Sequence, residues 1–597
     1  MTPSTQPSDA YRSRFEHYRR EQSRLESRLD RLGTARVATA IVGLIFIGVI
    51  LAVQVISFWW LFAPVIPLIA LSIARGRVLA ARDQTRRAAA FHERGLARIE
   101  DRWMGAGENG SGFGDDQHLY AADLDLFGAG SLYQRLCEAH TREGQQTLAD
   151  WLKQPAEPEA IRRRQAAVRD LTARLDLRER LALLGESIPG GIDTKSLIDW
   201  AARPPELPVR SGRMIVNGLT TALAVSGLVW AIVNDFPWLV LIVLASQTAF
   251  VLWLSKPVRR VLGDVERRAG ELLHLAGILA LIEGEKFESP RLRELQQTLK
   301  TQGDPASRQL ADLVWLIDLL NSRRNQLFIP IALLLAWGTR MAFAIEGWRV
   351  RCGSAVGRWF AVIAEIEAIL SIAGYAFENP GDPFPEIVEA GPIYHGVDLR
   401  HPLLPRGQCV PNSLQLGPDL RLLIVSGSNM SGKSTFLRTV GINAVLAFAG
   451  APVRAASLRL SPLAIGATLR IQDSLMAGKS RFYSEITRIQ QIVEKAKGPL
   501  PLLFLLDELL HGTNSHDRGI GGEAIVLALV ERGAIGLITT HDLTLAHIAE
   551  RLGDRAANVH FADLLVDGQM VFDYKMQPGV VRHSNAIALM RAVGLPV

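Results

Sequence analysis

The sequence predicts a multidomain chain: a C-terminal α/β phosphate-loop domain, a mostly helical region before it, and two apolar helical hairpins. Three observations carry this. The run GSNMSGKST at 427–435 lies between a buried-strand pattern and a helical one. Residues 37–73 hold no Asp, Glu, Lys, Arg or His, and residues 214–254 hold a single charge, Asp235. Between the hairpins and the loop the apolar residues recur at helical spacing.

Composition sets the bounds. The chain has 597 residues, 48% hydrophobic and 21% charged, which is ordinary for a globular protein of several domains. A mean hydropathy of +0.14 is high for that class and points to concentrated apolar segments. Cys137, Cys352 and Cys409 have no C-x-x-C spacing, so neither a zinc site nor a disulfide framework is expected, only reduced thiols. The net charge is +6, and much of the arginine falls in 12–36 and 75–102. Basic runs there fit nucleic acid, anionic lipid or topology signals.

The first apolar stretch is too long for one span of roughly 20 residues and suits two short ones. Ser57, Trp59 and Trp60 near its middle suit a turn at headgroup level. The run starts too late for a secretory signal. In the second stretch, Asn234-Asp235-Phe236-Pro237 separates 214–233 from 238–254, with Trp230 and Trp238 at the break. Arg213 precedes it and Lys256, Arg259 and Arg260 follow. Both outer turns lack Lys and Arg, so the N-terminus and all large segments are expected on the cytoplasmic side of the inner membrane. In a soluble core Asp235 would be a buried charge needing a partner; at a hairpin tip it sits in water. Two matching uncharged pairs favour the tip. A third stretch, LFIPIALLLAWGTRMAFAI (327–345), carries Pro330 and Arg340 and reads as a buried core helix.

The strongest chemical signal is the glycine loop. Gly427, Ser428, Asn429, Met430, Ser431, Gly432, Lys433, Ser434 and Thr435 fit G-x-x-x-x-G-K-[ST], after the apolar run LLIV (422–425). Backbone amides and a helix N-terminus there cradle phosphates. Lys433 would neutralise β/γ oxygens of ATP, and Ser434 would ligate Mg²⁺. The run LPLLFLLDELL (500–510) reads as a strand ending in Asp507-Glu508. Asp507 suits Mg²⁺ as a hard oxygen ligand, and Glu508 is placed to polarise an attacking water. A further strand, AIGLITT (534–540), ends in His541, which could sense the γ-phosphate. Together these predict a doubly wound ATPase domain over 396–597.

These residues resemble the MutS family of ABC-type ATPases. Matching features are RHPLL (400–404), DSLMAGKSRFYSEITR (473–488), LLDELLHGTNSHDR (505–518), TTHDLTLA (539–546) and YKMQPGVVRHSNAIALMRAVGLP (574–596). Upstream, residues 126–171 are similar to the family's all-α core, with T-x-x-G, WL-x-x-P and RQ-x-x-V patterns. The resemblance covers about 116–200 and 350–597. It implies a homodimer through the ATPase domain, in which Ser480 completes the partner's nucleotide site and Thr513 and Asn514 link the two sites. It also implies lever helices between core and ATPase, and association with duplex DNA.

The departures shape the expectation. Too few residues precede the core-like segment for mismatch-reading and connector domains, and Val597 leaves no C-terminal helix-turn-helix extension. The family's mismatch wedge is Phe-x-Glu; the triplet Phe91-His92-Glu93 lies in an Arg-rich helical stretch just past a span and is taken as coincidence. Cys409 falls where the family places an aromatic on adenine. The expected organisation is a basic helical segment (1–36), a transmembrane hairpin (37–75), a basic linker (76–115), a MutS-core-like region (116–213), a second transmembrane hairpin (214–255), a helical lever region (256–395) and the ATPase (396–597). The leading reading is a membrane-anchored MutS-like ATPase using ATP and Mg²⁺, contacting membrane lipid, DNA and a client that the sequence does not reveal. The alternatives are an ABC-type transporter, against which stand the missing L-S-G-G-Q signature and the uncharged spans, and a scaffold whose ATPase gates assembly.

Overall fold

The computed structural model describes residues 6–53, 60, 62–186, 194–208, 238–263, 269–301, 303–326, 328–428, 430–470, 481–510, 515–541, 546–566 and 569–581, with parts of 216–233. The tip 234–237, with Asp235, lies outside them, as do Ser57, Trp59 and 582–597. The chain divides into two units.

The first unit comprises residues 1–103 and 176–186. Helices α1 (Pro7–Val53) and α2 (Val65–Ile99) form an antiparallel hairpin: Tyr11 covers Gly95, Arg75 lies at Gly33, and Pro64 lies at Gly43. Each basic segment and its neighbouring apolar arm is thus one continuous helix. At the polar end, residues 176–186 clamp the pair. Glu179 accepts from Arg14 at 3.1 Å and lies 3.0 Å from His92 Nε2, and Tyr18 stacks on the His92 ring. Phe91 and His92 are buried beneath Tyr11. A buried Phe91 cannot wedge into a base stack, in keeping with the reading of that triplet as coincidence. The apolar end is different. Its most hydropathic window in α1 averages 2.2, and only 11% of it is buried. Val42, Leu44 and Ile45 on α1 and Ile66 on α2 are more than half exposed.

The second unit holds the rest. Of the short helices α3 (Leu132–Leu136), α4 (Arg142–Lys153) and α5 (Pro158–Thr172), the first two are capped by side chains, Ser131 accepting the Gln134 amide and Thr141 the Gly144 amide, while α5 opens on Pro158, which has no N–H to satisfy. Helix α6 (Leu175–Gly185) supplies the clamp of the first unit, and α7 (Thr194–Ala202) leads toward the second apolar stretch. The described residues between 216 and 233 are helical, followed by α8 (Trp238–Trp253), α9 (Ser255–Leu262), α10 (Ala269–Gly284), α11 (Pro290–Thr298) and α12 (Ala306–Asn321).

The stretch read as one core helix over 327–345 is two. Helix α13 (Ile329–Leu334) ends before Ala336, whose φ of 48° is left-handed, and α14 (Trp337–Glu378) starts afresh. Helix α14 is long and apolar enough to cross a membrane, yet most of its apolar stretch is buried inside the protein, so it is a core helix. At about 63 Å long by its 1.5 Å rise, it organises the unit. Near its start, Arg340 donates to Thr220 (3.0 Å) and Thr221 (2.6 Å) of the second apolar stretch. One turn on, the buried Glu346–Arg349 pair holds residues 204–207 through the amides of Glu206 and Leu207 and the carbonyl of Pro204.

Further along, Glu367 accepts from the Thr141 hydroxyl and the amides of His140 and Thr141. Burial pushes its carboxyl up to about 7, opposed by those donors. Glu367→Ala should strand them and cost about 3 kcal/mol of stability, measurable as a lower denaturant midpoint, with Glu367→Gln losing less.

Two sheets complete the unit. Strands β1 (Glu386–Ile387), β2 (Tyr394–Leu399), β3 (Asn412–Leu416) and β5 (Ser457–Leu460) form a small sheet in the order β1-β5-β2-β3. The larger sheet runs β10-β9-β4-β8-β7-β6, with β4 (Leu422–Gly427), β6 (Ala464–Thr468), β7 (Leu502–Leu506), β8 (Ile535–Thr540) and β9 (Ala556–Val566) parallel and β10 (Gln569–Pro578) antiparallel at the edge. Strands β4, β7 and β8 are buried at every position, as central parallel strands covered by helices must be. Helices α15 (Lys433–Ala449), α16 (Arg481–Lys495), α17 (Ser515–Glu531) and α18 (Ile548–Leu552) complete this α/β layer.

Candidate nucleotide site

The glycine loop leaves the carboxyl end of β4 and enters α15, where crevices of parallel sheets open. Two glycines are obligatory there. Gly427 has φ 143°, and a Cβ on it would come within 2.9 Å of both Phe561 O and Ser431 Oγ. Gly432, at φ 102°, would press a Cβ against the Tyr574 ring. The loop therefore has room only for backbone, which lets its amides face a bound anion. Ser428 Oγ and Ser431 Oγ are buried with no hydrogen-bond partner among the described residues, as fits a loop built to receive phosphate oxygens. Ser434 and Thr435 line the same cavity of about 550 Å³ with Met430 and Lys433. Asn429 lies outside the described residues.

Strand order explains the rest. Strand β8 lies between β4 and β7, so its last residues sit between the loop and the acidic pair. Lys433 Nζ donates to Gly427 O (2.7 Å) and Ser428 O (2.8 Å) and lies 3.2 Å from His541 Nε2. The same His541 nitrogen is 2.7 Å from Glu508 Oε1. Burial draws the Lys433 pKa below its ordinary value, while Glu508 and Asp507 pull it back up. Asp507 accepts from the buried Thr539 hydroxyl, whose oxygen in turn accepts the Glu508 amide at 2.9 Å. Lys433, Asp507, Glu508 and His541 are thus one connected cluster. Ser480, Thr513 and Asn514 lie outside the described residues.

Three contributors, Thr539, Glu485 and Tyr574, lie within the family-like motifs but have no role that the sequence assigns. Glu508 and Leu510 both take left-handed φ values, 47° and 58°, a costly conformation for residues with a Cβ. Thr539 holds the first, and buried Glu485 of α16 holds the second by accepting the Leu510 amide at 2.6 Å. The third is Tyr574, at a bulge in β10 with φ 54°. Asn412 pins that bulge, donating to Tyr574 O (2.9 Å) and accepting the Met576 amide (2.8 Å). Cys409 lines the cavity, and its sulfur accepts the His401 amide. Of the aromatic side chains lining the cavity, Phe436 and Phe561 are buried and Tyr574 is exposed, so Tyr574 offers the ring to a base. Stacking of a base on such a ring is worth about 1–3 kcal/mol. Tyr574→Ala should raise the Kd for ATP about tenfold while leaving tripolyphosphate binding unchanged, as calorimetry would read.

Residues 423–597 match the family model described as MutS domain V. The match contains every acidic, basic and loop candidate above. The chain is also 33% identical over 259 residues to DNA mismatch repair protein MutS 2 of Halobacterium salinarum, covering 42% of this chain and 29% of that relative. It is 34% identical over 189 residues to DNA mismatch repair protein MutS of Streptococcus pneumoniae (strain Hungary19A-6), covering 31% and 22%. DNA mismatch repair protein HexA of Streptococcus pneumoniae (strain ATCC BAA-255 / R6) gives the same figures. The chain spans less than a third of the length of these curated relatives. The similarity to the MutS family is carried by residues 423–597 and by the aligned stretches of these relatives.

Proposed function

We propose that this protein is a MutS-type, Mg²⁺-dependent ATPase tied to a bilayer by two helical hairpins and acting as a dimer on DNA held near that membrane. The carrying observation is the coexistence of the cluster Lys433–His541–Glu508 with exposed apolar hairpin arms on the same chain. Bound Mg-ATP supplies the phosphoanhydride. Ser434 and Asp507 would hold the cation, and the loop amides with Lys433 the phosphates. Glu508 orients and polarises a water, and His541 keeps that carboxylate aimed while lying within reach of Lys433.

The membrane half rests on physics. Val225, Val229, Val233 and Ile242 of the second stretch are all more than half exposed, as are the α1 positions named above. So many exposed large apolar side chains along each stretch are not left facing water. Helix α14 supports coupling. Its first turns are bonded to the second stretch, and Asn379 just beyond its last residue accepts from Arg406 at 2.8 Å, shortly before the cavity residues Cys409 and Asn412. A lever of this kind would carry nucleotide state toward the bilayer. The basic flanks support an orientation with the ATPase on the cytoplasmic face, and the inner membrane is the membrane proposed.

DNA enters through the names of the relatives, and reading of mismatches is not part of the proposal. Purified full-length protein in nanodiscs should bind duplex DNA with an affinity that falls steeply as salt rises. Absence of binding at low salt removes the DNA element and leaves the membrane ATPase.

A further inference from the structure

Helix α13 was expected in the core, and the structure puts it elsewhere. Ile329 is 43% exposed and Ile331 48%. The helix packs against α8, whose Ile242, Leu252 and Trp253 are 63%, 66% and 76% exposed. The exposed apolar surface of the second hairpin therefore continues onto α13. The helix is also held there. Trp337, just after the Ala336 break, donates to Leu319 O at 2.6 Å and meets Phe328 edge-on at 5.3 Å.

We propose that Ile329–Leu334 is a third bilayer contact, a short interfacial helix seated at the boundary of acyl chains and headgroups beside α8. This rests on the membrane reading of the second hairpin. Six residues rise about 9 Å, far short of a span, so the helix lies at the interface. Its backbone is fit for that medium: the amides of Phe328 and Ile329 go to Asn325 O, Ala332 to Phe328 O and Leu335 to Ile331 O. A lipid-exposed segment needs such internal pairing. Charge placement agrees. The single turn Ser322–Arg324 brings Arg323 and Arg324 just before the helix. Basic residues leading into an apolar patch suit anionic headgroups and match Lys256, Arg259 and Arg260 after α8.

The test places a photoreactive benzophenone amino acid at Ile331, at Trp253 as the hairpin position, and at the exposed Val397 as the aqueous position. Each full-length variant is reconstituted in phosphatidylethanolamine–phosphatidylglycerol vesicles and checked for retained ATP binding. The proposal expects a lipid adduct at 331 within about twofold of that at 253, and none at 397. A lipid adduct at 253 with none at 331, or with 331 joined to a polypeptide, overturns the α13 assignment and leaves the hairpin standing. No lipid adduct at either position overturns both.

Discussion

Glu508→Gln lowers ATP turnover by about 10²–10³-fold and leaves ATP binding close to that of the unaltered protein. The amide keeps the size of the carboxylate and the 2.9 Å bond from the residue's own N–H to Thr539, so the strained turn is preserved. The ability to polarise water is lost, and so is the anionic partner of His541. Lys433 and the loop carbonyls that hold it are untouched. Trapped ATP should therefore accumulate and stabilise the dimer. Single-turnover assays with size measurement check both halves, and undiminished turnover would remove Glu508 from the chemistry.

Leu44→Arg combined with Ile45→Arg should prevent insertion of the first hairpin. Each arginine near the middle of a span costs about 3 kcal/mol on insertion scales, so the pair costs about 6 kcal/mol. Both positions are more than 60% exposed, so neither change disturbs helix packing or the Glu179 clamp at the other end. A cysteine introduced by Ser57→Cys at the expected tip should react with a membrane-impermeant maleimide in intact cells. The double arginine variant should lose that labelling. The native cysteines, expected on the cytoplasmic side, supply the protected background. Equal labelling with and without the arginines would contradict the hairpin.

What could be read from sequence was local. The strand–glycine loop–helix around Lys433 is set by neighbouring residues, and strands β4, β7 and β8 fall within a residue or two of their apolar runs. The break at Ala336 was not readable, because alanine favours helix and the apolar pattern crosses it without interruption. Arg340 looked like a lone charge in a core helix; its partners Thr220 and Thr221 lie about 120 residues away. Tyr574 stood inside a recognised motif, yet only the bulge pinned by Asn412 brings it to Gly432. Glu485 reads as an ordinary polar helix residue until the Leu510 amide is found on it. The long polar halves of α1 and α2 read as a basic helical segment and a basic helical linker, and what fixes them is Glu179, far along the chain. Apart from the break at Ala336, each missed feature depends on a contact distant in sequence, which periodicity and motif spacing do not encode.

The central claim joins a MutS-type nucleotide site to a bilayer, and alkaline carbonate extraction of cell membranes followed by density flotation addresses it most directly. The full-length protein should resist carbonate, float with lipid and still bind ATP after reconstitution. Release into the carbonate supernatant, with ATP binding retained, would contradict the account by making the hairpins part of a water-soluble assembly.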